Sequence, residues 1–181
     1  MRIHKEDVMA MVIDFQEKLV PHMNDNHNLI KNTAILIKGL ETLKVPIITT
    51  QQYTKGLGMT VEEIGKAFDK DFEYLDKISF SCYGDEIIKE EIRKLGKKSI
   101  IICGIEAHIC VMQTVIDLLE DGYDVIIIED CISSRKYNDK INGIRRMEKE
   151  GAIIATYESI LFELIKVAGN DTFKIISNLI K

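Results

Sequence analysis

The sequence has 181 residues, 46% hydrophobic and 29% charged, with a formal net charge of −5 at pH 7; this suits one domain with a single substantial core. An acidic chain with only short basic pairs ("GKKSI", "GIRRM") lacks the patch that a nucleic-acid binder needs. The apolar stretch Val8 to Ile13 is too short for a signal peptide or a membrane span, and the four cysteines (82, 103, 110, 131) have neither CxxC nor zinc-knuckle spacing, so the expectation is a cytoplasmic protein with reduced thiols.

In chain order, the first β-branched run is VMAMVID (8–14). A helical pattern follows from Asn28 to Leu43, with Leu29, Ile30, Thr33, Ile37 and Leu40 near helical spacing. VPIITTQ (45–51) is the second strand and DFEYLDK (71–77) a weaker third. Asp85 to Leu95 is helical and ends at Gly96, a good C-cap. SIIICGI (99–105) is the fourth strand, and a helix from Val111 to Leu119 precedes Gly122. YDVIIIED (123–130) is the fifth strand, a helix over Asn138 to Glu150 stops at Gly151, and GAIIATY (151–157) is the sixth. At the C-terminus, Phe173, Ile176, Leu179 and Ile180 share one helical face, which suits packing on the chain's own sheet or a subunit interface.

The strands are nearly all apolar rather than alternating, as parallel strands covered on both faces are. Their alternation with helices implies a single α/β domain over residues 1–181: an open, mostly parallel six-stranded sheet with helices on both faces. In such sheets ligands bind beyond the carboxyl ends of the strands. Those ends deliver Asp14, Gln51 and Gln52, Lys77, the Gly104–Cys110 turn, and Glu129 with Asp130.

An acid, a lysine and a thiol thus reach one edge from three segments. Cys110 as thiolate can attack a carbonyl carbon, and the N-terminus of the following helix would favour that thiolate. Asp14 can take the thiol proton and return it to a leaving amine, with Lys77 keeping Asp14 ionised. Cys82, Cys103 and Cys131 read as packing residues. Phe15, Gln52, Tyr53, Phe80, Tyr83 and His108 are candidate substrate-pocket residues, Phe15 and Phe80 as walls of an apolar slot.

The stretches "MVIDFQEKLVP", "TTQQYTKGLGMTVEEI", "DKISFSCYGDE", "GIEAHICVMQT" and "EDCISSRKYND" resemble, in order, the isochorismatase-like or cysteine hydrolases, most of all the small isochorismatase-domain proteins. The resemblance implies a Rossmann-like hydrolase fold, an Asp14–Lys77–Cys110 triad and frequent homo-oligomers. It also implies a cis peptide at Ile105–Glu106, so that the backbone N–H groups of Glu106 and Cys110 form an oxyanion hole. Nicotinamidases of the family carry an Asp-x-His-x-x-His metal set after the second strand. "TTQQYTKGLG" has neither residue, so no metal and no cofactor are expected.

The leading expectation is a metal-independent cysteine hydrolase cleaving a small amide, carbamoyl or related C–N bond through a thioester on Cys110. The small molecule is its only expected partner besides copies of itself, with neither membrane nor nucleic acid. Two alternatives stand beside it: isochorismatase-type vinyl ether hydrolysis, which does not need the thiol, and a non-hydrolytic thiol redox or binding protein.

Overall fold

In the computed structural model, which describes residues 1–69 and 72–181, the first apolar run forms strand β1 (Val8–Ile13). Its side chains alternate between two layers: Val8, Ala10 and Val12 enter one buried cluster, Met9, Met11 and Ile13 the other. Period-two alternation with both faces apolar makes this a central strand.

The remaining strands are β2 (Ile47–Gln52), β3 (Leu75–Lys77), β4 (Ser99–Ile105), β5 (Asp124–Ser133) and β6 (Ile153–Ala155). They form one six-stranded sheet in the order β3-β2-β1-β4-β5-β6, parallel at every pairing. β3 and β6 are shorter than the sequence suggests, and the expected start of β3 at Asp71 lies outside the described residues. β5 runs past Glu129 and Asp130 to Ser133, because a register shift between Ile102 and Gly104 lets Ile132 and Ser133 rejoin β4.

Helices α1 (Asn26–Thr42), α3 (Glu62–Gly65), α7 (Tyr157–Ile165) and α8 (Asp171–Ile180) pack on one face, through Leu36, Ile37, Ile64, Leu161 and Ile176 among others. The C-terminal helix therefore contributes Ile176 to the chain's own core. Between β2 and α3 lies the short α2 (Thr54–Leu57). Helices α4 (Glu86–Leu95), α5 (Met112–Glu120) and α6 (Tyr137–Glu150) cover the other face with Ile88, Ile92, Val115, Leu118, Ile144 and Met147. Among the described residues no helix is long and apolar enough to cross a membrane.

The chain winds outward from β1 to β3, then returns to the far side of β1 with β4 and winds the other way. The crevice of such a sheet opens where that order reverses, at the carboxyl ends of β1 and β4.

Candidate active site

Asp14 leaves β1 with left-handed backbone (φ 57), a conformation aspartate tolerates better than most residues. Its N–H still bonds Thr50 O at 3.1 Å, while Gln16 N–H closes back on Asp14 O at 2.7 Å. The strand therefore ends in a tight turn that leaves the carboxylate buried at the sheet edge. Thr50 Oγ1 donates to Asp14 Oδ1 at 2.8 Å, and Lys77 Nζ donates to Oδ2 at 2.8 Å. Neither the lysine nor the aspartate side chain is exposed.

Lys77 ends β3. Besides Asp14, its ammonium meets Gln52 Oε1 at 2.7 Å, Phe80 O at 3.1 Å and Ser79 O at 3.3 Å. Burial works to discharge it, but the anionic forms of Cys82, Asp14 and Cys110 outweigh burial and hold its pKa above the ordinary lysine value. Both thiols are themselves pushed up and so are neutral at neutral pH. The resting state is an ion pair beside a neutral thiol.

Cys110 sits in a π-helical turn (Ala107–Val111) between β4 and α5. Glu106 O accepts from Ile109 N at 3.0 Å and Val111 N at 3.3 Å, the wider closure of a π turn. The Ile105–Glu106 peptide is cis. Thr114 Oγ1 donates to Cys110 O at 2.7 Å and accepts from Cys82 N at 2.8 Å, tying the Cys110 turn to the loop after Lys77. Burial first, then the Asp14 charge, push the Cys110 thiol up, with Lys77 opposing them. The sequence suggested a thiol ionised by its helix; desolvation outweighs that effect.

Two glycines set the approach. At Gly104 (φ +151) a Cβ would lie 2.6 Å from Ile13 O. At Gly143 of α6 it would lie 2.9 Å from Ala107 O and 3.2 Å from His108 Cα. α6 thus touches the Cys110 turn backbone to backbone.

The candidate pocket residues divide. Phe15 does not wall the pocket: it is buried in the cluster on the opposite sheet face from Cys110, with Val20, Met23 and Leu29. The left-handed turn at Asp14 throws the next side chain to that side. Tyr83 also turns away. Its hydroxyl donates to Asp121 at the end of α5, and Lys89 lies 4.9 Å from its ring centroid.

Gln52 is occupied at both ends of its amide, accepting from Lys77 and donating to Ile78 O at 2.6 Å. Tyr53 and Phe80 are exposed, and a Cβ on Gly56 would meet the Tyr53 ring. His108 Nδ1 bonds Ser134 Oγ at 2.9 Å. The buried Glu106 carboxylate accepts from Arg135 N and Nε, both at 3.1 Å.

The end of β2 and the segment after it, TTQQYTKGLG, offer no free side chain suited to a metal. Gln51 donates to Thr54 Oγ1 and accepts from Thr60, and the Gln52 amide is spent as described. Among the described residues no group of three or more His, Cys, Asp or Glu side chains is placed to hold an ion.

The sequence reading missed Thr50, Thr114, Gln16 and Cys82. Cys82 Sγ lies 3.6 Å from the Thr50 hydroxyl that holds Asp14, so it borders the site rather than merely filling the core. Cys103 and Cys131 do belong to the hydrophobic core.

The isochorismatase domain family matches residues 8–159. The chain is similar to isochorismatase family protein 1A of Dictyostelium discoideum, 39% identical over 92% of this chain and 82% of the relative. A MAR1 ribonuclease from Caenorhabditis elegans superposes with a TM-score of 0.92 at 33% identity, covering 99% of this chain and 92% of that one. The YcaC gene product of Escherichia coli, described as an octameric hydrolase of unknown specificity, shares the fold with a TM-score of 0.91 at 22% identity, over 98% and 90% of the two chains.

Proposed function

The chain belongs to the isochorismatase family, and from that premise we propose that it is a metal-independent cysteine hydrolase cleaving a small amide, carbamoyl or related C–N bond. The observation that carries the reading is the buried Asp14–Lys77 pair beside the Cys110 thiol.

In this reading Asp14, Lys77 and Cys110 are the catalytic residues. The Asp14 carboxylate takes the proton from Cys110 Sγ as sulfur attacks the substrate carbonyl carbon. The backbone N–H groups of Glu106 and Cys110 receive the developing oxyanion. Collapse breaks the C–N bond, and the carboxyl proton of Asp14 leaves with the amine. Water, deprotonated by Asp14, then cleaves the thioester and restores the thiol. Lys77 holds Asp14 as the carboxylate before attack and again once its proton has left with the amine, so a thiol that is neutral at rest is deprotonated only during attack. His108, Tyr53 and Phe80 are the pocket residues retained here.

A panel of small amides and ureides assayed for ammonia release tests the reading, with Cys110→Ala as the blank. The expected result is release lost in Cys110→Ala and in Asp14→Ala, with an acyl mass trapped on Cys110. Turnover of a vinyl ether substrate that survives Cys110→Ala but dies with Asp14→Ala would instead indicate vinyl ether chemistry, which does not need the thiol.

A ribonuclease activity, as in the C. elegans protein's description, finds little support in a chain of net charge −5. The working form in this reading is a homo-oligomer. Ile78 and Phe80, on the loop after Lys77, and Tyr53 beside it are exposed apolar side chains next to the site, and light scattering should find more than one copy.

A further inference from the structure

The ammonium of Lys77 has three protons and four acceptors, and one of these is a side chain with no other evident duty. We propose that Gln52 is a positioning residue for Lys77, holding the ammonium on Asp14 and away from the Cys110 thiol, and that Gln16 holds Gln52 in place. The proposal rests on the triad reading above.

Gln52 ends β2, where its neighbours differ on the two sides. Toward β3 it pairs in register with Lys77, and the next residue's N–H bonds Lys77 O at 2.8 Å. Toward β1 there is no strand left, because the chain has turned off the sheet at Asp14. The side-chain amide of Gln16 occupies that position. Its Oε1 accepts from Gln52 N at 2.7 Å, and its Nε2 donates to Gln52 O at 3.0 Å and to Gly58 O at 2.8 Å. A primary amide has the donor and acceptor of a peptide group, so Gln16 extends β1's ladder by one residue and satisfies backbone that burial would otherwise orphan.

Gln52 is thereby fixed in backbone, and its side chain is fixed too. Nε2 donates to Ile78 O, which leaves Oε1 aimed at Lys77 Nζ, 2.7 Å away. The remaining directions of the ammonium go to Asp14 and to the Phe80 and Ser79 carbonyls. No Lys77 proton is left over for sulfur or substrate. Lys77 therefore acts on the reaction only through Asp14, and Gln52 has no free group with which to bind substrate.

The test is the pH profile of Cys110 alkylation by iodoacetamide, read by mass spectrometry on its peptide, in full-length protein shown to be folded by circular dichroism. Besides Lys77, the groups that face the thiol are Asp14 and Cys82.

Gln52→Leu removes the shortest of the four contacts and leaves one proton to the long 3.3 Å Ser79 carbonyl. Sulfur can replace that contact as the ammonium shifts, so the midpoint should fall by about half a pH unit or more. Gln52→Glu places a carboxylate on Nζ, drawing it away and adding negative charge, so the midpoint should rise. Gln52→Asn, an amide one methylene too short, should follow Leu, and it decides the matter if Gln52→Leu does not fold. Opposite signs for Leu and Glu are a signature that a merely structural role would not produce. A midpoint that stays put, or moves the same way in both, overturns the proposal, as does a raised KM with the midpoint unmoved. Alkylation needs no turnover, so hydrolysis surviving Cys110→Ala would sink the proposed mechanism without touching this result.

Discussion

At the amino ends of β4 and β5, Lys98 pairs with Asp124 at 3.4 Å, with side chains 70% and 28% exposed. At the carboxyl edge Lys77 pairs with Asp14 at 2.8 Å, with neither exposed. The first pair is held by charge alone, since Asp124 Oδ2 has no hydrogen-bond partner among the described residues. The second is held by Thr50, Gln52 and two carbonyls besides. An exposed pair contributes little, because water screens it. A buried one must overcome a desolvation cost of several kcal/mol per ion, and such pairs are seldom kept for stability alone. Of these two pairs, the one the sheet buries among polar groups lies at the edge where the crevice opens, which suits the proposed site.

The largest effect that sharpens this contrast comes from alkali. Cys82 is pushed up to about 11, and Cys103, Cys110 and Cys131 are also raised, by burial first in every case. Groups with raised folded pKa values stabilise below the unfolded thiol value, and that stability is lost as pH climbs through the folded one. The folded chain keeps its thiol protons while the unfolded chain sheds them. Urea unfolding under reducing conditions should therefore show stability constant to about pH 8.5, then falling by up to about 5 kcal/mol per pH unit for four thiols. The Cys82 share ends near pH 11. A flat profile to pH 10 would mean that these thiols are not sealed from water.

Lys77→Met comes next. It strands a buried carboxylate and should cost about 3–5 kcal/mol, with much of that recovered when Asp14→Asn is added. The two single changes should move Cys110 alkylation in opposite directions. Asp14→Asn removes the anion that disfavours the thiolate and speeds the reaction; Lys77→Met removes the only favourable charge and slows it, about tenfold per pKa unit. Should both slow it equally, Asp14 is a structural cap and not the base.

Gly143→Ala is smaller. Its new methyl would press on the Ala107 carbonyl, costing about 1–3 kcal/mol and lowering Cys110 reactivity through the displaced turn. Lys98→Met should be the smallest, at or below about 1 kcal/mol by the same unfolding assay. If Lys98→Met costs as much as Lys77→Met, the contrast between the two ends collapses.

Much of this was legible in the sequence, for identifiable reasons. Runs such as SIIICGI are buried on both faces, so composition alone marks them as inner strands. β3 was faint because an edge strand of three residues pairs on one side only. α7 was hidden because its first residue, Tyr157, is also the last of the run GAIIATY, so the helix start fell inside the segment read as strand. The signal that would have found it is the capping box of Thr156 and Ser159. Asp14, Lys77 and Cys110 could be nominated from strand ends. The partners that hold them could not, because the directions of Gln16, Thr50 and Gln52 depend on a left-handed turn that aspartate permits but does not announce.

The strand order also carries a consequence for how the chain is made. β1 pairs with β2 on one side and, on the other, with β4, whose Ser99 meets Val8 only after some 90 further residues. At ribosomal speeds of about 5–20 residues per second, that partner arrives about 5–20 seconds late. During that wait VMAMVI, a run without charge or proline, is the open edge of an unfinished half-sheet. A central strand of the finished sheet is thus an aggregation-prone edge of the nascent one, and the synthesis of β4 closes that window in the same step that completes the crevice.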